Sequence, residues 1–125
     1  MGKKVKAIAQ IRGHSIINIS NSKNPLTNLD VTKCDVVIDF STPNSALDNI
    51  FYSLINNTPV VSGTTNWLSN IDKVKNLCLE KKGAFLYSAN FSLGMNIFFE
   101  INKQIAEIMK SHEYKCEVNE VHHIQ

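Results

Sequence analysis

Apolar positions recur along this chain with two spacings, and their alternation predicts the architecture. Val5, Ile8, Ala9 and Arg12 fit an opening helix that Gly13 stops. Residues 15–20 carry Ile16, Ile17 and Ile19 and predict a strand, and residues 21–30, with Pro25 and several Asn, predict a loop. The run from Cys34 to Phe40 reads as a strand buried on both faces, because a continuous β-branched run suits that environment. Ser41-Thr42-Pro43 then supplies a hydroxyl N-cap and a proline at the first helical position. Leu47, Ile50, Phe51, Leu54 and Ile55 follow on one helical face, which Asn56-Asn57 ends.

The unit repeats. Pro59 to Ser62 predicts a short strand and Gly63-Thr64-Thr65 a turn. Leu68, Ile71, Val74 and Cys78 form a helical stripe closed by Gly83, and Ala84 to Tyr87 is the next strand. Strand–helix–strand alternation implies parallel strands joined by right-handed crossovers, and hence a Rossmann-like α/β sheet.

After Gly94 the texture changes. Met95, Phe98, Phe99, Ile101, Ile105, Ile108 and Met109 populate a wide apolar arc on a helix of about 17 residues. Residues 114–124 then alternate as in a strand, with Tyr114, Cys116, Val118, Glu120 and His122 sharing one side. A subdomain boundary falls near Asn90 to Gly94.

The 125-residue length suits one domain with its own core. A net charge of +2, with Lys and Arg spread along the chain, gives no basic patch for nucleic acid. No apolar run approaches the roughly 18–20 residues of a membrane span, and no secretory signal follows Met1. Cys34, Cys78 and Cys116 share no CxxC spacing and lie in apolar stretches. They are expected to be small buried residues in a reducing, cytoplasmic setting rather than disulfides or metal ligands.

In an open parallel sheet, ligands bind beyond the carboxyl ends of the strands. Phe40-Ser41-Thr42-Pro43, Gly63-Thr64-Thr65 and Ser88-Ala89-Asn90-Phe91 all meet that condition, with small or hydroxylated residues whose backbone N–H groups a ligand can approach. Any one of them alone reads as an ordinary cap or turn. Three along one sheet edge favour a nucleotide or substrate cleft. His122 and His123, neighbours on a strand, face opposite ways and do not readily chelate one metal. One facing the cleft could act as a general acid, with an ordinary pKa of about 6.5. A surface strand carrying two histidines is the plainer alternative. Glu120 either orients His122 or is simply solvated.

Taken in order, Val37 to Pro43, Gly63-Thr64-Thr65, Ser88 to Asn96 and Glu120-Val121-His122-His123 resemble the 4-hydroxy-tetrahydrodipicolinate reductase family. The resemblance implies an NAD(P)-binding domain over residues 1–91, lacking its first strand and Gly-rich turn. It implies the start of an α+β substrate-binding and oligomerisation domain over residues 92–125. It also implies NADPH or NADH as cofactor, a small dicarboxylate substrate, a homotetramer, and a role in lysine biosynthesis through diaminopimelate. By the same resemblance Met1, Gly2, Phe40, Ser41, Gly63, Thr64, Thr65, Ser88, Ala89, Asn90 and Phe91 line the cofactor. His122 maps to the catalytic proton donor or acceptor, and His123 to a substrate contact.

The departures are specific. Met1-Gly2 matches the tail of the family's Gly-rich turn, so the phosphate-binding glycines are expected to be missing, as are the substrate lysine and Gly-Thr turn that follow the second histidine. No acidic residue stands between Ser15 and Leu29 to bind the adenine ribose; Asn21 is nearest, leaving NADH and NADPH both open. The chain is accordingly expected to be a fragment without turnover of its own. An inactive nucleotide-binding module and another Rossmann-type dehydrogenase are the alternatives.

Overall fold

The computed structural model describes residues 1–119 and 121. The chain divides into two units, Met1–Ala89 and Asn90–Gln125. In the first, α1 (Gly2–Ile11) precedes the alternating series β1 (Val37–Asp39), α2 (Pro43–Ile55), β2 (Val60–Ser62), α3 (Ile71–Glu80) and β3 (Phe85–Tyr87). The second holds α4 (Leu93–Met109). The strands form one parallel sheet in the order β1-β2-β3, with Val37 beside Val60 beside Phe85 and Asp39 beside Ser62 beside Tyr87. This is the Rossmann-like α/β arrangement.

Residues two apart on a strand share a face. Val37 and Val60 lie under α2, and together with Ala46, Ile50, Leu54, Val74, Val31, Leu26 and Trp67 they make the core. Asp39 and Ser62 continue the same face toward the carboxyl ends and are buried as well. The covered face therefore changes from apolar to polar along its length.

The other face is open. Ile38 is 48% and Leu86 55% exposed, so the run from Cys34 to Phe40 is buried on one side only, contrary to the two-sided burial its composition predicts. Topology supplies the reason. Right-handed crossovers that advance in one direction, β1 to β2 to β3, deliver α2 and α3 to the same face.

The first three helices end alike. Gly13, Asn57 and Lys82 take left-handed backbone, at φ 80°, 56° and 49°. In each case the next residue's N–H bonds back to a carbonyl five positions earlier: His14 to Ala9, Thr58 to Ser53 and Gly83 to Cys78. These are Schellman caps. Gly13 and Asn57 act as expected, but in α3 the left-handed residue is Lys82, one position before the predicted Gly83. At Gly83 a Cβ would stand 3.2 Å from Leu54 Cδ2, a tight contact that the leucine side chain would have to yield slightly to admit.

Two predicted strands do not form among the described residues. Residues 15–20 pair with no neighbour, and Ile17 and Ile19 stand 52% and 53% exposed. Alternation marks a segment that fits a pleat, but a strand also needs a ladder partner for its N–H and C=O groups. The same holds for residues 114–119, where Tyr114 N–H turns back to the His112 carbonyl. Glu120, His122, His123 and Ile124 lie outside the described residues. The α4 helix has the predicted 17 residues, with the Ser92 hydroxyl accepting from Met95 N–H at its start, and none of its residues is buried.

The cysteines divide. Cys34 and Cys78 are half-buried, whereas Cys116 is exposed, because it falls in the segment that forms no strand. Burial pushes the Cys34 thiol above its ordinary range, with Asp30 and Asp35 adding to the effect. Less thiolate is then present at neutral pH. Cys116 is expected to react with iodoacetamide well before Cys34, as read by mass spectrometry of partly labelled protein; the reverse order would contradict this burial pattern. Leu54→Ala, at a site with 0% exposure, is expected to cost about 2–5 kcal/mol in urea unfolding. Ile11→Ala, at an 84% exposed site, is expected to change stability by less than about 0.5 kcal/mol.

Candidate functional site

At the carboxyl ends of β1 and β2 a cleft of about 320 Å³ is lined by Met1, Phe40, Ser41, Pro43, Gly63, Thr64 and Thr65. Three pieces of chain meet there: the start of α1, the β1–α2 turn and the turn after β2. The carboxylate of Asp39 holds the last two together. Its Oδ1 accepts from Ser41 Oγ at 2.7 Å and Asn49 Nδ2 at 3.0 Å. Its Oδ2 accepts from Thr64 Oγ1 at 2.7 Å and Ser62 Oγ at 3.0 Å. Thr64 Oγ1 in turn accepts from Ser41 N–H at 2.8 Å, which ties one turn directly to the other.

Burying a carboxylate is costly unless its lone pairs are satisfied. Four donors from four residues meet that requirement for Asp39, which is 4% exposed.

The amide groups of these turns point inward. Ser41 N–H goes to Thr64 Oγ1, Gly63 N–H to the Asp39 carbonyl at 2.9 Å, and Thr64 N–H toward Ser62 Oγ at 3.4 Å. Of the N–H groups expected to be open to a ligand in the Phe40–Pro43 and Gly63-Thr64-Thr65 turns, these three are engaged within the protein. They are consumed in joining the turns, and the wall they leave is apolar, hydroxyl and carbonyl in character.

Two further residues support this wall. Trp67, 3% exposed, donates from Nε1 to the Thr64 carbonyl at 2.6 Å. Its ring meets Phe85 and Tyr87 edge-on, at 5.9 and 5.4 Å between centroids. At Gly63 a Cβ would overlap the Phe40 ring, so glycine is required for close approach rather than for a special φ.

Six of the residues predicted for the site, Met1, Phe40, Ser41, Gly63, Thr64 and Thr65, line this cleft, and Gly2 begins α1 beside it. Ser88 and Ala89 leave β3, where Ser88 N–H donates to the Ser62 carbonyl at 3.2 Å; neither lines the cleft. Asn90 and Phe91 open the second unit. There Asn90 Oδ1 accepts from Ser92 N–H at 2.8 Å, and the Asn90 carbonyl accepts from Asn96 Nδ2 at 3.0 Å. His122 and His123 lie outside the described residues.

Asp39, Asn49, Ser62 and Trp67 were not among the predicted site residues. One signal was available for the first: a carboxylate inside the run Val37-Ile38-Asp39-Phe40 must find donors if that run is buried. Among the described residues no helix is long and apolar enough to cross a membrane. Among the same residues no group of three or more His, Cys, Asp or Glu is placed to hold a metal ion.

A family model described as "Dihydrodipicolinate reductase, N-terminus" matches residues 1–91. The 4-hydroxy-tetrahydrodipicolinate reductase of Christiangramia forsetii is 39% identical, over 100% of this chain and 53% of its own length. That of Alkaliphilus metalliredigens is 38% identical over 98% of this chain and 50% of its own. That of Buchnera aphidicola subsp. Cinara cedri is 39% identical over 74% of this chain and 33% of its own. The chain spans about half the length, or less, of these relatives.

Gly63→Ala forces the Phe40 ring aside and is expected to destabilise the fold by about 1–3 kcal/mol. Combining it with Phe40→Ala should relieve most of that cost, so the two changes will not add in thermal unfolding. Strict additivity would show that the ring and the turn are not in contact.

Proposed function

The chain belongs to the dihydrodipicolinate reductase family, and from that premise we propose that it is the cofactor-side portion of a 4-hydroxy-tetrahydrodipicolinate reductase using NADPH or NADH. The observation that carries the proposal is the cleft at the carboxyl ends of β1 and β2, within the stretch that matches the family.

The residues present fit a nicotinamide ring better than a phosphate. A phosphate needs free N–H donors, and those of Ser41, Gly63 and Thr64 are engaged inside the protein. We assign the Phe40-Ser41 and Gly63-Thr64-Thr65 turns to the nicotinamide half of the dinucleotide. Ser88, Ala89, Asn90 and Phe91 are further proposed contacts of the cofactor, as are Met1 and Gly2. When bound, the reduced cofactor supplies the hydride. The chain's own part is to hold the ring's orientation, because hydride donor and acceptor must meet within contact distance.

His122 is the proposed proton donor or acceptor. An imidazole with an ordinary pKa of about 6.5 serves both directions of proton transfer near neutrality. His123 is the proposed contact to the substrate, a cyclic imine dicarboxylate on the diaminopimelate route to lysine. The proposal extends to a homotetramer in the cytoplasm, with residues 92–125 beginning the substrate and assembly domain.

The test uses the full-length protein. It should oxidise NADPH or NADH only when the hydroxy-tetrahydrodipicolinate substrate is present. His122→Gln should lower kcat by about 10²–10⁴-fold and leave the KM for the dinucleotide nearly unchanged. A full-length protein that binds neither dinucleotide would sink the assignment.

A further inference from the structure

The polar cluster behind the cleft carries an inference of its own: we infer that Asp39 is a positioning residue, which makes the two cofactor-facing turns a single preformed wall. This rests on the proposed placement of the nicotinamide half along those turns, and goes beyond it by naming what holds them in place.

Asp39 lies on the covered face of β1 and is not among the residues that line the cleft. It acts through others. Its Oδ1 fixes the Ser41 hydroxyl in the first turn and the Asn49 amide on the second turn of α2. Its Oδ2 fixes the Thr64 hydroxyl in the second turn and Ser62 at the end of β2. Because Thr64 Oγ1 gives its proton to Asp39, its lone pair faces Ser41 N–H, 2.8 Å away. The carboxylate thus sets the donor direction of the hydroxyl that bridges the turns.

A carboxylate is required at 39, since both of its oxygens must accept. In an Asp39→Asn variant one position becomes an NH₂ donor. Toward Asn49 Nδ2 it would meet another donor. Toward Thr64 and Ser62 it would take away the acceptor of both hydroxyls, so the Thr64 proton would no longer be held away from Ser41 N–H. Either choice weakens the cluster that joins the turns while leaving size and shape nearly unchanged. Separated turns sample more conformations, and a ligand that needs both must then select the joined one, so apparent affinity falls by the fraction populated.

The cost should fall on the nicotinamide end of the ligand alone. In the full-length protein, calorimetric titration with NADPH is compared with 2′-phospho-ADP-ribose, the same molecule without its nicotinamide. Asp39→Asn should weaken NADPH by about ten- to a hundredfold and leave the nicotinamide-free fragment unchanged. Asn49→Ala provides the second variant should Asp39→Asn fail to fold. Alanine favours helix, and it removes the Nδ2 that donates to Asp39 Oδ1 at 3.0 Å and to Ser41 Oγ at 3.3 Å. It should weaken NADPH by about three- to tenfold, with the fragment again unaffected. Equal losses for the two ligands, or no loss of either in folded Asn49→Ala, would overturn the positioning role and leave the proposed function standing. A wild-type protein that binds the fragment and NADPH equally well overturns the placement of the nicotinamide, and this inference with it.

Discussion

A single buried carboxylate sets the terms for this end of the molecule. Asp39 stands on the helix-covered face of β1, where the sheet is apolar one step earlier at Val37. Left without partners there, it would cost more than a small domain can offset. Its four donors come from Ser41, Asn49, Ser62 and Thr64, which are separated by as many as 23 positions in the chain. All four are neutral, so the cluster depends on geometry rather than on a countercharge. Satisfying it requires that the β1 end, the second turn of α2, the β2 end and the turn after it converge. The packing of Ile50 and Leu54 against Val37 and Val60 brings these elements together, and Asp39 determines how they finish.

That finish decides what the cleft can recognise. Glycine- and hydroxyl-rich turns at sheet edges commonly serve as anion sites because their amides point outward. Here the amides of Ser41, Gly63 and Thr64 are spent within the protein, and Trp67 caps the Thr64 carbonyl from behind. The wall sets the Ser41, Thr64 and Thr65 residues beside the Phe40 ring, which packs on Gly63. On the proposed assignment it would orient the nicotinamide and leave phosphate recognition to other parts of the site. The family's reaction asks for that division, since a hydride can be delivered to one face of an acceptor only by a ring whose own face is held.

How much of this could be read from the residues differs by feature, and the reason is physical in each case. The helices were legible because their boundaries are local: Thr42-Pro43 starts α2, and Gly13 and Asn57 end α1 and α2 by the left-handed conformation those residue types tolerate. Lys82 was not, because nothing in a lysine announces positive φ. The strands β1 to β3 were legible through the repeating unit. Residues 15–20 and 114–119 share the right alternation but form no strand ladder among the described residues, and pairing is not a local property. The cleft was found from the rule about carboxyl ends of strands. The engagement of its amides was not legible, because it depends on contacts such as Ser41 with Thr64, 23 residues apart.

The open face of the sheet bears on the same question. The run from Val36 to Ile38 is apolar on both sides, while the crossovers through α2 and α3 cover only one. Composition and topology disagree here, and both are sound. A continuous β-branched run records the environment in which a strand is most stable, and one-directional right-handed crossovers record where its own helices must go. They are reconciled in doubly wound sheets, where connections running the opposite way cover the second face and the ligand crevice opens where the direction reverses. The β1 strand is the edge of this sheet, and the turn that leaves it lines the cleft. Asp39 therefore stands at the carboxyl end of the edge strand, where it holds two turns in register with the help of Asn49 from the crossover helix α2.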